Sequence, residues 1–505
     1  MAFNIGINVL ETDGKATPSI QGAATSVAGF IIRSERGLAG KVTQVSSPAQ
    51  FREHFGMPFA DGYGALALQG FFDNGGIVAH VLRLVDATVA TPATKAFPNG
   101  GAASLTVSAA YQGTDDPGAW GDNIAILIRA NPDNLATYDL LVRYKTDVVE
   151  TYTALDNRTA AGATGRHPVP IINDANTGSK FIKVVENATS NPAVTLGAAG
   201  ADAKGYIALA GGVEDGMNAG AVATAATTAL DLFATVDVQL IACPETADTG
   251  FVNTAVQKCE LRGDCMFVGA TASGQNLAAA KAYGKSLQGT KIYGAVYWPW
   301  IQVLDPGGTR RWIPPTGHIL GVYARTESER GIWKAPAGNA ARLGGALDVE
   351  TAITDVDHTD LVKNGSVDAV RFVPGQGIIV DSSRTLSTNP LWLYVNIRLL
   401  FNYVKSSLKS GLRWVVQEPN SEELWNKVKF NSVTPFLMGL WRKGAFGPGK
   451  PEQVFTVKCD ADTNPPAKIQ QGTFTVEVYF YPSRPAETVV IVVGQQEGAG
   501  SATEA

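Results

Sequence analysis

Residues 238–270 read "VQLIACPETADTGFVNTAVQKCELRGDCMFVGA". "VQLIAC" and "CMFVGA" are short apolar runs of strand length. "AVQKCELR" between them has helical character. Strand, helix and strand in that order predict a partly parallel sheet flanked by helices. The same grammar extends outward over residues 206–375, where "AATTALDLFAT" and "LAAAKAYGKSL" read as helices and "YGAVYW" as a strand. It returns at 25–85. "SVAGFIIRS" and "IVAHVLRLV" predict strands there. "SPAQFREHFG" predicts a helix with a Ser-Pro entry and a Gly exit, and "YGALALQGFFDNGG" a second helix.

Residues 86–205 differ. Ala, Thr, Gly and Asn rise, and "NIAILIRA" and "YDLLVRY" alternate with turn clusters, which predicts an inserted β-rich domain. Residues 376–485 carry two helices. In one, Tyr394, Ile397, Phe401, Val404 and Leu408 recur at helical spacing before Gly411. The other starts at "PNSEELW", where Asn420 and Glu423 have capping-box spacing; Pro435 is expected to kink it. The fold class expected is therefore α/β and α+β multidomain.

The two ends are set apart. Phe3, Ile5, Ile7 and Val9 alternate with polar or small residues, as an amphipathic strand does, and a Gly-, Thr- and Ser-rich linker follows over 12–24. Near the other end Val489, Val490, Ile491, Val492 and Val493 form an unbroken β-branched run. Neither strand has an adjacent strand to pair with. The division expected is 1–20 (arm and linker), 21–85, 86–205, 206–375, 376–485, and 486–505 (arm and tail).

Composition excludes several functions. The 505 residues carry a net charge of −5 with 45% apolar and 17% charged residues, an ordinary folded chain and not a basic nucleic-acid binder. The N-terminus has no secretory pattern and no apolar run reaches the roughly 20 residues of a membrane span, so a soluble protein made in a cytoplasm is expected. Cys243, Cys259, Cys265 and Cys459 form no CxxC pair, which fits free thiols better than zinc.

Other chemistry reads weakly. "AYGKS" at 282–286 lacks the leading Gly of a phosphate loop and lies inside a helical pattern. "TDDPGAWGDN" offers Asp115, Asp116 and Asp122, but Pro117 and Trp120 break calcium-loop spacing; a turn packed on Trp120 is expected. The five histidines lie in separate segments with no nucleophile elbow beside them, and His80, in an apolar strand, reads as a core residue. No cofactor is expected. Charge placement says more. Residues 371–450 hold 11 Lys or Arg against 4 Asp or Glu, a net of +7, so the remainder sums to −12. Arg398, Lys405, Lys409 and Arg413 lie in a stretch free of acids, either a solvated face or a docking surface for an acidic partner.

The order of short motifs resembles the contractile tail sheath family of bacteriophages and related injection machines. "TSVAGF" (25–30), "RG" (36–37), "FFDNGG" (71–76), "GAWGDN" (118–123), "LAGGVEDG" (209–216), "GVYARTESERGIWKAPAG" (321–338), "GIIVDSSRTL" (377–386), "YVNIRLL" (394–400), "VVQEPNSEELW" (415–425) and "PAE" (485–487) follow the family's sequence over nearly the whole chain. Asp122 is an insertion relative to the family's GxWGN turn, the LxGGxDG spacing is one residue longer here, and Leu399 stands where many relatives have a second Arg. Outside its WG turn the insert carries no resemblance. The resemblance implies a sheath core with an inserted outer domain and extended terminal β-arms. It implies a mechanical, non-enzymatic subunit that polymerises as stacked hexameric rings around an inner tail tube and contracts to drive the tube through an envelope for genome ejection. Partners implied are other copies, the tube protein, and baseplate and tail terminator proteins, in a virion tail assembled in a host cytoplasm. The arm strands would pair with neighbouring subunits, and Lys405, Lys409 and Arg413 would contact the tube. A phage tail, a phage-tail-like bacteriocin and an extracellular injection system stay open, and an α/β enzyme is the distant alternative.

Overall fold

A computed structural model describes residues 19–60, 62–86, 88–158, 166–214, 216–290 and 292–487. The expected arm strands, Phe3 to Val9 and Val489 to Val493, lie outside the described residues.

The chain opens with β1 (Ala28–Ile32), β2 (Thr43–Val45), α1 (Pro48–Phe55), α2 (Gly64–Asp73) and β3 (Ala79–Arg83). A β-rich unit follows: β4 (Thr94–Asn99), β5 (Ala102–Tyr111), β6 (Thr114–Asp115), β7 (Ile124–Ala130), β8 (Tyr138–Tyr144), β9 (Asp147–Leu155), the short α3 (Pro168–Ile172), β10 (Ile182–Glu186) and β11 (Ile207–Ala208). The chain then resumes α/β order with α4 (Ala219–Ala229), β12 (Leu240–Ala242), α5 (Thr249–Arg262), β13 (Met266–Ala270), α6 (Leu277–Ser286) and β14 (Gly294–Trp298). A small three-stranded sheet is built from β15 (Ile301–Leu304), β16 (Arg310–Ile313) and β17 (Ala346–Val349), with α7 (Thr316–Arg330) between the last two. Next come α8 (Asp355–Gly365), β18 (Asp368–Val373) and β19 (Gly377–Val380). The C-terminal domain holds α9 (Val395–Gly411), α10 (Glu422–Asn426), α11 (Thr434–Arg442), α12 (Pro451–Val454), β20 (Phe455–Lys458) and β21 (Glu477–Phe480).

Eight strands form the main sheet, in the order β19-β18-β14-β13-β12-β1-β3-β2. Its six central strands are parallel and its two edge pairs antiparallel. Alternation along each strand splits the core into two layers. Phe30, Ile32, Leu240, Met266, Val268 and Tyr297 meet α1, α2 and α7 on one face. Ile31, Ile241, Phe267, Val296 and Trp298 meet α4, α5, α6 and α8 on the other. Segments before and after the β-rich unit thus complete one sheet, and the unit's own core, around Leu105, Trp120, Ile126 and Leu140, is separate.

Local grammar explains the elements. Ser47 caps α1 through Gln50 N–H at 3.1 Å, and Pro48 occupies its first turn. Glycines let α2 and α7 approach closely. A Cβ at Gly317 would lie 2.0 Å from the Ala67 carbonyl oxygen, and one at Gly321 2.5 Å from that of Phe71.

One expectation is corrected. The second C-terminal helix is capped by Ser421, whose hydroxyl accepts from Leu424 N–H at 3.4 Å; Asn420 instead accepts from Trp425 Nε1 at 2.6 Å. Ser421 is one residue closer to the helix, so its oxygen reaches the third N–H of the turn. Pro435 sits at the start of α11, after a π-helical stretch, Lys427–Val433, whose wider turn absorbs the missing proline N–H.

Candidate functional site

Both chain ends enter the described structure at the C-terminal domain. At the N-terminal root, Ile20 packs into the core of that domain. Ala23 N–H donates to Ser407 Oγ at 2.9 Å, and Gly22 passes so close to Tyr403 that a Cβ there would meet its hydroxyl. The linker then crosses to the sheet. The Ser26 hydroxyl donates to the Glu327 carboxylate on α7, and Val27 N–H to Gln239 Oε1 at 3.1 Å, one residue before β1. Burial pushes the Glu327 carboxyl up to about 7, with the Ser26 hydrogen bond opposing.

At the C-terminal root, Ser483 is fixed by the Gly444 and Phe446 carbonyls, at 3.0 and 2.8 Å, and its own carbonyl accepts from Asn396 Nδ2 at 3.2 Å. Four residues on, Arg384 donates from Nε and Nη2 to the two oxygens of Glu487, at 2.6 and 2.5 Å, and Tyr394 Oη donates at 3.2 Å. Burial pushes the Glu487 carboxyl up, but Arg384 and Tyr394 outweigh it and hold the group below its ordinary value. Three separated motifs, "SSRTL", "YVNIRLL" and "PAE", therefore meet at one carboxylate.

Between the two roots lies a two-stranded antiparallel sheet. β20 and β21 pair Phe455 with Phe480 and Lys458 with Glu477. Its apolar side rests on an aromatic stack: Phe480 lies 4.1 Å from Phe401 and 5.2 Å from Phe446, centroid to centroid. Tyr479 and Tyr481 remain exposed. Two strands are a marginal sheet and leave unpaired edge N–H and C=O groups.

The basic stretch on α9 is not one uniform face. Arg398 is 1% exposed and lies between the rings of Tyr293 and Trp392, 4.0 Å from each. Seven residues on, Lys405 is exposed but donates to Tyr293 Oη at 3.1 Å, so it braces the domain against the α/β body. Asn402 between them donates to the Cys265 carbonyl at 3.0 Å. Lys409 and Arg413 lie past this contact and are exposed.

A second cluster forms the neck of the β-rich unit. Asp116 is buried, accepts Gly37 N–H at 2.8 Å and pairs with Arg83 at 2.7 Å. The Arg36 guanidinium lies over the Phe181 ring at 4.9 Å and the Trp120 ring at 5.5 Å. Asp122 accepts Gly212 N–H at 2.9 Å, and Glu214 accepts Ala119 N–H at 3.1 Å. The "RG", "GAWGDN" and "LAGGVEDG" stretches thus meet here, and the expected turn on buried Trp120 forms. Sequence reasoning missed these pairings, whose hydrogen-bonded partners stand 33 to 95 positions apart.

The strand order reverses between β1 and β12, where doubly wound sheets offer a ligand crevice. The half-buried Glu245 carboxylate sits at that point and takes the backbone N–H groups of Arg33 and Tyr63 at 3.1–3.2 Å. Lys285 and Ser286 close α6 at its C-terminal end, the wrong pole for phosphate. Among the described residues no group of three or more His, Cys, Asp or Glu could hold a metal, and no helix is long and apolar enough to cross a membrane. All four cysteines are free and buried.

Comparison with known proteins gives a consistent result. Residues 219–386 match the phage tail sheath protein central domain, and 387–495 match the phage tail sheath C-terminal domain. The tail sheath protein of Vibrio phage KVP40 is 26% identical over 180 residues, 34% of this chain and 25% of that protein. A putative prophage major tail sheath protein of Pseudomonas aeruginosa (strain UCBPP-PA14) is 25% identical over 215 residues, 41% of this chain and 52% of that protein. The chain therefore spans only a quarter to a half of these relatives. Among solved structures, the sheath of an extracellular contractile injection system (PVC, contracted state) superposes with a TM-score of 0.61 at 17% identity, covering 98% of this chain and 99% of that one. A sheath tail protein from Listeria innocua gives 0.61 at 13%, covering 88% and 90%. The two domain matches together take in more than half of the sequence, and the chain belongs to the phage tail sheath family.

Proposed function

We propose that the chain is the structural, non-enzymatic subunit of a contractile phage tail sheath. It polymerises as stacked hexameric rings around an inner tail tube and contracts to drive the tube through the host envelope for genome ejection. The observation that carries this reading is the incomplete two-stranded sheet β20–β21, placed between two anchored chain ends. Beyond each anchor the sequence holds a strand pattern with no neighbour to pair with. The arm of one copy completes the sheet of the next by β-augmentation. Burying four or five Val or Ile side chains contributes roughly 5–10 kcal/mol per arm before ordering costs. Such a contact is heterologous and repeats without closing along the axis, so it builds a helical tube.

In this reading the β-rich unit faces outward on its neck. The C-terminal domain faces the tube, with Lys409 and Arg413 as contacts and Lys405 shared with Tyr293. Baseplate and tail terminator proteins cap the polymer, and assembly takes place in the host cytoplasm. An observation favours a second reading, the sheath of an extracellular injection system: this chain and that sheath cover 98% and 99% of each other. Co-sedimentation with the tube protein tests the tube assignment. Charge reversal at Lys405, Lys409 and Arg413 should abolish binding or flatten its salt dependence; unchanged binding would remove the assignment.

A further inference from the structure

A cleft of about 550 Å³ opens between the end of α7, the loop after β19, the start of α9 and the 483–487 segment. Arg330, Lys334 and Arg484 line it, and none forms an ion pair among the described residues. Arg330 crowds Lys334; burial first, then that neighbouring charge, hold the Lys334 ammonium below its ordinary pKa. The two carboxylates in the cleft are already engaged, Asp381 with Arg371 at 2.6 Å and Glu487 with Arg384 at 2.5 Å. Two buried polar atoms in its wall have no hydrogen-bond partner among the described residues, Asn396 Oδ1 and His358 Nε2. His358 turns its other nitrogen toward Asp381, at 3.8 Å. The cleft thus has surplus positive charge, an acceptor without a donor, and an unused imidazole nitrogen. Groups of this kind are costly to leave unmet.

The sequence contains a matching segment. From 488 to 505 there is no Lys or Arg, and Glu497 and Glu504 are the charged side chains. Gln495, Gln496 and Glu497 come directly after the β-branched run and Gly494, and Gly498 succeeds them. Glutamine carries both donors and an acceptor. The path also agrees. β21 ends at Phe480, Phe446 bridges to Pro482, and the next residues form the wall of the cleft. A five-residue strand of roughly 17 Å laid beside β20–β21 and running as β21 does would deliver its C-terminal continuation into the cleft.

We propose that this cleft receives the Gln495–Gln496–Glu497 segment of a neighbouring copy, with the Glu497 carboxylate against Lys334, Arg330 and Arg484 and the glutamine amides on Asn396 and His358. The choice of a second copy as donor rests on the arm-exchange reading above; the recognition chemistry does not.

A labelled peptide of residues 494–505 tests the cleft on the full chain by fluorescence anisotropy. The peptide should bind, and K334E/R484E in the protein, or Gln in place of both Glu in the peptide, should weaken it about tenfold. Equal binding by all pairs, no binding, or equal binding of a polyglutamate peptide overturns the assignment. K334C chains mixed with E497C chains then identify the donor. Disulfide-linked dimers in assembled polymer are expected. Linkage only within a single K334C/E497C chain would assign the cleft to the chain's own tail and overturn the exchange. If the wild-type chain forms no polymer, the arm-exchange reading fails while the peptide result still stands for the cleft.

Discussion

Arg384 holds Glu487 by both carboxylate oxygens, at 2.6 and 2.5 Å, just before the β-branched run 489–493 of the sequence. A planar guanidinium on a carboxylate fixes direction as well as position. The grip therefore fixes the backbone direction at residue 487, where the described residues end. Glu487→Gln should lower the local opening free energy of 483–487 by about 1 kcal/mol, the partly screened value for such a pair. Faster amide exchange in that segment, with the sheet amides unchanged, is the expected reading.

Packing between α2 and α7 should be intolerant of a single methyl group. Gly317→Ala places a Cβ on the Ala67 carbonyl and should cost about 1–3 kcal/mol in urea denaturation. Gly439→Ala, on a helix with open space around the position, should instead stabilise by about 0.5–1 kcal/mol. Equal effects at the two sites would mean that the close approach does not govern stability.

At the neck, Asp116→Ala leaves Arg83 buried without its carboxylate. The expected cost is about 3–5 kcal/mol. Because the pair joins the β-rich unit to the sheet, protease sensitivity should rise first near residues 83–91 and 210–213.

Stability should fall as pH rises from about 4.5 to 7. Burial lifts Glu245, Glu327 and Asp368 to about 7 in the folded chain, above their ordinary values of 4.5, 4.5 and 3.8. In that window the native state holds more protons than the unfolded one, so this contribution is full at low pH and lost by about pH 7. Groups held low, such as Glu487, act in the opposite sense at more acidic pH. Glu327→Gln should remove one share of the slope, checked by urea titrations from pH 5 to 8.

Much of this was legible in local pattern. Ser47-Pro48 and Gly56 bound α1, and short apolar runs marked β1, β3 and β12 to β14 because these central strands bury both faces. Long-range chemistry was not legible. Arg398 looked like part of a basic face, yet the ring of Tyr293, about a hundred positions away, and that of Trp392, in the turn before the helix, lie against it, and Lys405 is turned onto Tyr293. Nothing local reports that Asp116, in an acidic turn, is aimed at Arg83 and not at a metal ion. Asn420 had the right spacing for a cap, but Ser421 took the position because capping depends on backbone direction as well as residue type.

The most direct test of the central claim is negative-stain electron microscopy of the purified full chain at high concentration, beside a chain lacking residues 1–18 and 488–505. Hollow tubes from the full chain and only dispersed particles from the shortened one are predicted. Tubes that form equally well without both ends, or dispersed particles from the full chain, would contradict assembly through exchanged arms.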